Sequence, residues 1–312
     1  MRTVRCPPCS SAFMPPAVSP ASPKDVPSQR ATFRRLVKLL RGRRTVVVSG
    51  AGVSTESGIP DYRRPDGTRR NPDPMRHDEF TGSAATRRHY WARSAVGWPR
   101  FRAAQPNDGH RALARLEEAG LVTGVITQNV DRLHQAAGSE RVVDLHGALE
   151  DVRCLACGTL SGRDALQKRL LAANPDFPPG EVSLRPDGDA ELPDGAGDDF
   201  AVPSCTGCGG GPLMPDVVFF GGRVPERRVE AAWRLYDEAE ALLVVGSSLT
   251  VYSGYRFALR ARREERPFAA VNLGPVRGAE EAAAVHLEAP LGEALSRLAR
   301  ALTGKARVAW GA

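Results

Sequence analysis

The sequence predicts an α/β protein with a doubly wound parallel sheet, and two observations support this prediction. Short runs rich in Val and Ile recur along the chain, and each ends in Gly, Ser, Asn or His. Stretches of helical length separate several of these runs, which is typical of parallel strands buried on both faces. In such sheets a ligand binds at the carboxyl ends of the strands, where the polar residues fall. The predicted strands are 45–50, 125–129, 142–147, 217–221, 242–247 and 268–274.

Helical patterns lie between these strands. The predicted helices are 30–41, 86–93, 110–119, 226–239, 255–265 and 291–302. The region from about residue 65 to 106 interrupts the alternation of strand and helix and is rich in Trp, so we interpret it as a helical insert. We expect the sheet domain to comprise residues 31–150 and 215–305.

Composition limits the class of protein. A chain of 312 residues suggests about two domains, and 42% hydrophobic with 25% charged residues is typical of a globular protein. No run of 18 apolar residues occurs, so we expect no membrane-spanning helix and no membrane partner. The net charge of +7 is uneven, since residues 1–44 carry +9 and the remainder −2. The folded part therefore lacks the charge of a nucleic-acid binder, and nucleic acid is not an expected partner. The sequence indicates no oligomeric state.

The basic charge belongs to a leading segment. Residues 1–30 are rich in Pro, Ser and Ala without apolar periodicity, which predicts a disordered basic tail, and 306–312 form a second tail. The acid-poor composition of the leading tail is similar to that of a mitochondrial transit peptide. However, the chain contains 39 Arg and only 4 Lys, as expected of a GC-rich bacterial gene. We therefore predict a bacterial cytoplasmic protein, with the mitochondrial matrix as the alternative.

Four of the six cysteines form two Cys-x-x-Cys pairs. Cys154 and Cys157 form one pair, Cys205 and Cys208 the other, and 47 residues separate them. Two such pairs place four thiolates around Zn²⁺ and leave no position for water, so we predict one structural zinc in a small domain at 151–214. A redox pair is the alternative. Residues 174–200, dense in Pro, Gly and Asp, predict a mobile acidic excursion from this domain.

A glycine-containing loop follows the first predicted strand. Gly50-Ala51-Gly52 leads toward Ser57 and the start of a helix, an arrangement in which backbone amides can approach a pyrophosphate. The signal is weak alone. The third glycine of the dinucleotide fingerprint is Thr55, and no acidic residue ends the second strand, so an ordinary hydride-transferring dehydrogenase is disfavoured.

Several motifs in the same order resemble the sirtuin (Sir2) family of NAD-dependent protein deacylases. The match extends from about residue 32 to 302. Further motifs resemble the class II branch of that family, namely Tyr90-Trp-Ala-Arg93, Gly97-Trp-Pro99, Pro215-Asp-Val-Val-Phe-Phe220 and Val251-Tyr-Ser-Gly-Tyr255. The family motifs are Gly50-Ala-Gly-Val-Ser-Thr-Glu-Ser-Gly-Ile-Pro-Asp-Tyr-Arg63, Thr127-Gln-Asn-Val-Asp-Arg-Leu-His134, His146-Gly147, the two cysteine pairs, Val217-Val-Phe-Phe-Gly221, Gly246-Ser-Ser248 and Asn272-Leu-Gly274.

The resemblance implies a Rossmann-like large domain, a small zinc domain and an NAD site in the cleft between them. Tyr62 would cover the ribose, Arg63 would meet a phosphate, Asn129 would hold the ribose and Asp131 the nicotinamide amide. The adenine side would be formed by Gly246 and the residues after it. The implied NAD contacts are Gly50, Ala51, Gly52, Ser57, Asp61, Tyr62, Arg63, Gln128, Asn129, Val130, Asp131, Gly246, Ser247, Ser248, Asn272, Leu273, Gly274 and Leu291.

The resemblance also implies catalytic and peptide-binding residues. His146, with Asn129 and Asp131, would be catalytic, and His146 would act as general base on a ribose hydroxyl, a role that suits the ordinary pKa of imidazole. Val217, Val218 and Phe219 would form the strand edge to which an acylated-lysine peptide adds. For Val217 a buried core position is an equally good interpretation.

Two other functions remain open at this point. A protein mono-ADP-ribosyltransferase would use the same NAD residues, and an NAD-sensing scaffold would bind without turnover. The preferred acyl group is also open. The segment after the glycine loop lacks the Tyr-x-x-Arg pair of sirtuins that remove acidic acyl groups, although Arg69 or Arg70 could attract one.

Overall fold

The computed structural model describes residues 28–64, 66–69, 74–177, 185, 188–193, 195–279 and 284–304. The predicted tail 306–312 and residues 1–27 of the leading tail lie outside these residues. The strands are β1 Thr45–Ser49, β2 Val122–Thr127, β3 Val142–Asp144, β4 Gly147–Cys154, β5 Leu160–Gly162, β6 Leu213–Val217, β7 Ala241–Val245, β8 Phe268–Val271 and β9 Ala284–Leu287. The helices are α1 Gln29–Leu40, α2 His77–Gly82, α3 Ala84–Arg102, α4 Asp108–Glu118, α5 Leu133–Ala136, α6 Arg163–Ala173, α7 Glu226–Asp237, α8 Tyr252–Arg263 and α9 Leu291–Thr303, with a 3₁₀ helix at Ala51–Ser57.

Six parallel strands form the large sheet, in the order β3-β2-β1-β7-β8-β9. If only these strands are counted along the chain, the order is 3-2-1-4-5-6, the order of the doubly wound dinucleotide-binding fold. The strand order reverses between β1 and β7, so the helices that follow these two strands lie on opposite faces of the sheet, α4 on one and α8 on the other. The predicted doubly wound α/β class is confirmed.

Both faces of this sheet are buried, as the continuous apolar runs predicted. Along β1, Val47 joins a core formed with α1, α4 and α9, whereas Val46 and Val48 join a core formed with α7 and α8. Alternating side chains on one strand therefore serve two cores, because successive residues of a strand point to opposite faces.

A second sheet of three strands, in the order β5-β4-β6, forms the small domain. Here the prediction for 217–221 was wrong, because β6 ends at Val217 and pairs antiparallel with β4 outside the large sheet. The side chain of Phe219 packs in the hydrophobic core that the small domain shares with the helical insert, which explains the apolar residue at this position. The small sheet spans 147–217, slightly more than the 151–214 expected.

The predicted helical insert contains α2 and α3. Helix α3 is 19 residues long. The prediction of 86–93 was too short because Gly97 and Pro99 resemble a helix end in the sequence. Pro99 has no N–H to donate to the carbonyl of Ala95. The Nε2 of Gln167 on α6 donates to that carbonyl instead, at 2.7 Å.

Helix α6 of the small domain docks on α3 through two further residues. The guanidinium of Arg163 lies between the rings of Trp91 and Trp98, 5.3 and 5.1 Å from their centroids, and donates to the carbonyl of Ser94. Asp164 accepts a hydrogen bond from the indole of Trp98 at 2.8 Å. The helical insert and the small domain therefore share one interface.

The segment 174–200 was expected to be a mobile excursion, and several of its described residues are buried instead, whereas others are exposed. Asp189 and Ala190 are 1% and 0% exposed. Asp189 pairs with Arg93 of α3 at 3.3 Å, and the N–H of Ala190 donates to the carbonyl of Arg93. The sequence did not indicate this docking, because the buried residues are few and follow no helix or strand period among the Pro, Gly and Asp residues.

Candidate active site

A cleft of about 730 Å³ opens at the carboxyl ends of β1, β2 and β7, between the two sheets and the helical insert. It lies at the point where the strand order of the large sheet reverses, the position at which doubly wound sheets bind ligands. Residues after each of these strands line it, together with the segment after β6 and the start of α8.

Close contact of two loops shapes the floor of the cleft. The N–H of Gly52 donates to the carbonyl of Gly246 at 2.9 Å. A Cβ at Gly52 would lie 2.9 Å from the Cα of Gly246, and Gly246 itself has a φ of +59°. Both glycines are therefore required where the loops after β1 and β7 meet, a packing reason that the motif alone did not indicate.

A hydrogen-bonded group of three polar side chains lies beside this floor. The hydroxyl of Ser54 donates to Oδ2 of Asp131 at 2.6 Å, and Nδ2 of Asn129 donates to the oxygen of Ser54 at 3.0 Å. The N–H of Leu133 donates to the other carboxylate oxygen of Asp131. Burial raises the pKa of Asp131 above its ordinary value, although these donors favour its charged form.

His146 is held at both ring nitrogens. Its Nδ1 lies 3.0 Å from the carbonyl oxygen of Gln128, and its Nε2 lies 2.7 Å from Oγ of Ser253. A carbonyl oxygen only accepts, so Nδ1 carries the proton and Nε2 carries the lone pair. Burial lowers the pKa of His146 to about 4, and the nearby cations Arg228 and Arg256 act in the same direction. The imidazole is therefore neutral at pH 7 and able to accept a proton.

Most of the residues proposed from the sequence lie on the wall of this cleft. Three do not, namely Ser57, Gly274 and Leu291. The hydroxyl oxygen of Ser57 accepts a hydrogen bond from the side chain of Asn107, and the N–H of Gly274 donates to the carboxylate of Glu288. The side chain of Leu291 packs against Gly246. Those on the wall are Gly50, Ala51, Gly52, Asp61, Tyr62, Arg63, Gln128, Asn129, Val130, Asp131, His146, Val217, Val218, Phe219, Gly246, Ser247, Ser248, Asn272 and Leu273.

The segment Val217 to Phe219 runs beside the general-base candidate. The N–H of Val218 donates to the backbone carbonyl of His146 at 2.8 Å, and Val217 pairs with Gly147. Val217 and Val218 are half-buried, whereas Phe219 is buried. The backbone of this segment therefore fixes the position of the histidine backbone relative to one wall of the cleft.

Sequence reasoning gave no role to several residues on the wall, among them Ser54, Ser253 and Arg256. Ser54 lies within the glycine-loop motif and Ser253 within the Val251–Tyr255 motif, but no local signal showed that their hydroxyls reach Asp131 and His146. The wall also carries Arg63, Arg64, Arg69 and Arg223, so the cleft is cationic.

The four predicted metal ligands come together outside the cleft. The sulfur atoms of Cys154, Cys157, Cys205 and Cys208 all lie within 4.8 Å of one another, with contacts of 3.7 and 3.8 Å. Tetrahedral coordination with Zn–S bonds of about 2.3 Å requires sulfur separations of about 3.8 Å. These distances are too long for disulfides, whose S–S bond is about 2.05 Å. The arrangement fits one structural Zn²⁺.

Together, the strand order, the cleft and the cysteine cluster define a nucleotide-binding α/β protein with a small metal-stabilised domain. Residues 50–253 match the model of the Sir2 family. The chain belongs to the Sir2 family.

Its relatives include the NAD-dependent protein deacetylase 1 of Streptomyces coelicolor, 49% identical over 286 residues, which cover 92% of this chain and 95% of the relative. The mitochondrial NAD-dependent protein lipoamidase sirtuin-4 of Bos taurus is 45% identical over 281 residues, 89% and 88% of the two chains. A solved structure of Sir2 with a p53 peptide and NAD⁺ superposes with a TM-score of 0.68 at 30% identity, covering 85% of this chain and 96% of that one. Within the described residues, none of the helices has the length and apolar character needed to cross a membrane.

Proposed function

We propose that this chain is an NAD-dependent protein lysine deacylase that transfers the acyl group to ADP-ribose and releases nicotinamide. The observation that carries the proposal is the neutral His146, which lines the cleft at the switch point of the sheet and carries a lone pair on Nε2. The family membership and the printed activities of the relatives support the same reaction. The mono-ADP-ribosyltransferase alternative gains no support from these relatives.

The chemistry of the cleft fits NAD. Asn129 supplies an amide for a ribose, and Asp131 supplies a carboxyl group for a carboxamide. Arginines such as Arg63 supply cations for a pyrophosphate. Ser247 and Asn272, after β7 and β8, lie on the side assigned to adenosine. When bound, NAD supplies the ADP-ribose that receives the acyl group and the nicotinamide that leaves.

Within this arrangement His146 is the general base. Its Nε2 takes the proton of a ribose hydroxyl, while Nδ1–H stays bonded to the carbonyl of Gln128 and keeps the ring in one tautomer. In the imidazolium that forms, Nδ1–H still donates a hydrogen bond to the carbonyl of Gln128. Tyr62 lies on the cleft wall, edge-on to Phe220 at 6.1 Å between ring centroids, where it shields the reacting sugar from water.

An acylated lysine enters beside Val217 to Phe219, where an extended peptide adds to the backbone edge. The inner wall near this segment is apolar, with Ile59, Phe101 and Leu149 packed together. Acylated-lysine proteins are therefore the proposed partners. The Arg-rich composition and the bacterial relatives support a bacterial cytoplasmic location, with the mitochondrial matrix second.

The proposed zinc is structural. Cys154, Cys157, Cys205 and Cys208 would fill all four positions, so the metal would stabilise the small domain and take no part in the transfer. Backbone amides support the sulfurs, since the N–H of Gly207 donates to Sγ of Cys205 at 3.2 Å.

Mass spectrometry of the products tests the proposal. The full chain is incubated with NAD and peptides bearing acetyl-, long-chain acyl-, succinyl- or lipoyl-lysine. We expect nicotinamide, free lysine peptide and one acyl-ADP-ribose, and a loss of roughly 10²- to 10⁴-fold in His146→Ala. The exposed His77→Ala is the matched control. Release of nicotinamide without a deacylated peptide would contradict the proposal in favour of ADP-ribosyl transfer or NAD hydrolysis.

A further inference from the structure

The partner of His146 on the cleft side is a residue with no role in the reaction described so far. Ser253 is the second residue of α8, is 7% exposed, and places its Oγ 2.7 Å from Nε2 of His146. Because Nδ1 carries the ring proton, the hydroxyl of Ser253 donates to the Nε2 lone pair. That lone pair is the one the proposed reaction uses.

The local backbone brings this pair together. Gly254 follows Ser253, and a Cβ at Gly254 would lie 2.6 Å from Oε1 of Gln128. The missing side chain lets the start of α8 approach Gln128, whose own carbonyl holds Nδ1 of His146. One residue, Gln128, therefore contacts both the ring and the helix that carries Ser253.

From this geometry we propose that Ser253 is a positioning residue for the general base. Its hydroxyl fixes the plane of the imidazole of His146 in the free enzyme and yields Nε2 to the ribose hydroxyl when the nucleotide binds. This inference rests on the proposed deacylase function. A serine hydroxyl both donates and accepts, so it also accepts from Nε2–H after the ring has taken the ribose proton. Ser253 is thus the partner of Nε2 before the nucleotide binds and again after the proton transfer.

The electrostatic surroundings disfavour a positive charge on the ring of His146. The charged groups facing the ring are Arg228 from α7 and Arg256 from α8, and both disfavour a protonated imidazole. Arg228 is itself paired with Asp216 at 2.7 Å. Ser253 supplies a neutral acceptor close to the nitrogen that becomes protonated, where no carboxylate bonds to the ring among the described residues.

Comparison of two half-reactions tests the role. In the proposed mechanism His146 acts only after nicotinamide has left, so exchange of labelled nicotinamide into NAD reports the earlier step and deacylation reports the later one. We expect Ser253→Ala to lower kcat for deacylation roughly five- to tenfold, the loss of about one hydrogen bond, and to leave exchange within about twofold. Ser253→Thr keeps the hydroxyl and restores deacylation. The buried Ser139→Ala is the matched control and leaves both rates unchanged.

An equal fall in both rates, or no fall in either, would overturn the proposal. A second measurement does not depend on turnover: ¹⁵N NMR of the His146 ring at pH 7, without NAD. Ser253→Ala is expected to move the Nε2 resonance, whereas Ser253→Thr and Ser139→Ala leave it in place. An unmoved resonance in Ser253→Ala overturns the pairing. If the unmodified chain gives no deacylation, the proposed function fails, and the NMR result still decides the pairing.

Discussion

The hydroxyl of Ser54 donates to Oδ2 of Asp131 at 2.6 Å and joins the loop after β1 to the loop after β2 across the floor of the cleft. Ser54 also accepts from Asn129, so a single side chain orders the two residues assigned to the nicotinamide half of NAD. The 3₁₀ helix that carries Ser54 is therefore part of the site as well as the connection that follows the glycine loop.

We expect Ser54→Ala to lower kcat/KM for NAD roughly tenfold. The substitution removes a hydrogen bond that favours the charged form of Asp131, so the pKa of this buried carboxyl rises further. Steady-state kinetics with varied NAD measure the effect, and the exposed Ser161→Ala serves as control. Unchanged kinetics in Ser54→Ala would show that Asn129 and Asp131 are ordered by other contacts.

Buried neutral histidines make stability depend on pH. Burial lowers the pKa of His110 to about 4, whereas the unfolded chain has the ordinary value of 6.5. Between pH 6.5 and 4 His110 is protonated in the unfolded state and neutral in the folded state. The free energy of unfolding therefore falls as the pH drops toward 4. Between pH 7 and 5 this histidine lowers the free energy of unfolding by on the order of 2 kcal/mol.

His110→Gln is therefore expected to make the pH dependence between 7 and 5 less steep, as measured by urea unfolding followed through tryptophan fluorescence, while the buried His134 and His146 keep their share of the slope. His77→Gln, at an exposed position, keeps the slope of the unmodified chain. Equal slopes in the two variants would mean that His110 is protonated in the folded state.

Gly147 follows the proposed catalytic histidine, and its substitution tests how tightly the backbone is packed where the small sheet begins. Its φ is +81°, and a Cβ there would lie 1.8 Å from the carbonyl oxygen of Asp216. We expect Gly147→Ala to lower the free energy of unfolding by at least about 3 kcal/mol and to abolish deacylation. Gly120→Ala has a similar φ of +70° with nothing within 4 Å, so it costs only about 1–2 kcal/mol of backbone strain. Equal losses in thermal or urea unfolding would assign the effect to φ alone.

The zinc cluster offers a pair of adjacent glycines for comparison. A Cβ at Gly211 would lie 2.3 Å from Sγ of Cys154, whereas a Cβ at Gly210 meets nothing within 4 Å. We expect about one zinc per chain by atomic emission in the unmodified chain and in Gly210→Ala, and a much lower content in Gly211→Ala. Chelation should remove hydrogen-exchange protection from the small sheet before the large one, because metal binding supplies folding free energy to that domain. Simultaneous loss in both sheets would contradict this order.

A double-mutant cycle measures the link between α3 and α6. Gln167→Ala leaves the carbonyl of Ala95 without its donor and is expected to cost about 1–3 kcal/mol. In Pro99→Ala the new N–H at position 99 can donate to that carbonyl, so the loss of Gln167 matters less there. A coupling energy near zero in urea unfolding would show that Gln167 does not compensate for the proline.

Much of the fold and of the site follows from local patterns. The β1 strand, the glycine loop and the four cysteines are each marked by residues close together in sequence, whereas the role proposed for His146 came from the resemblance to the Sir2 family. The antiparallel strand ending at Val217 was misassigned, because a run of apolar residues does not show its pairing direction. The full length of α3 was missed because only its partner Gln167, far along the chain, compensates for Pro99. The pairing of Ser253 with His146 spans 107 residues and has no local signature.

The position of His146 between the two sheets has a mechanical consequence. The preceding Leu145 donates its N–H to Thr127 in the large sheet, and the following Gly147 pairs with Val217 in the small sheet. His146 therefore lies where the chain passes from the large sheet to the small one, and a rotation about this connection would displace its imidazole little. Because α6 docks on α3, such a rotation would carry the helical insert together with the small domain.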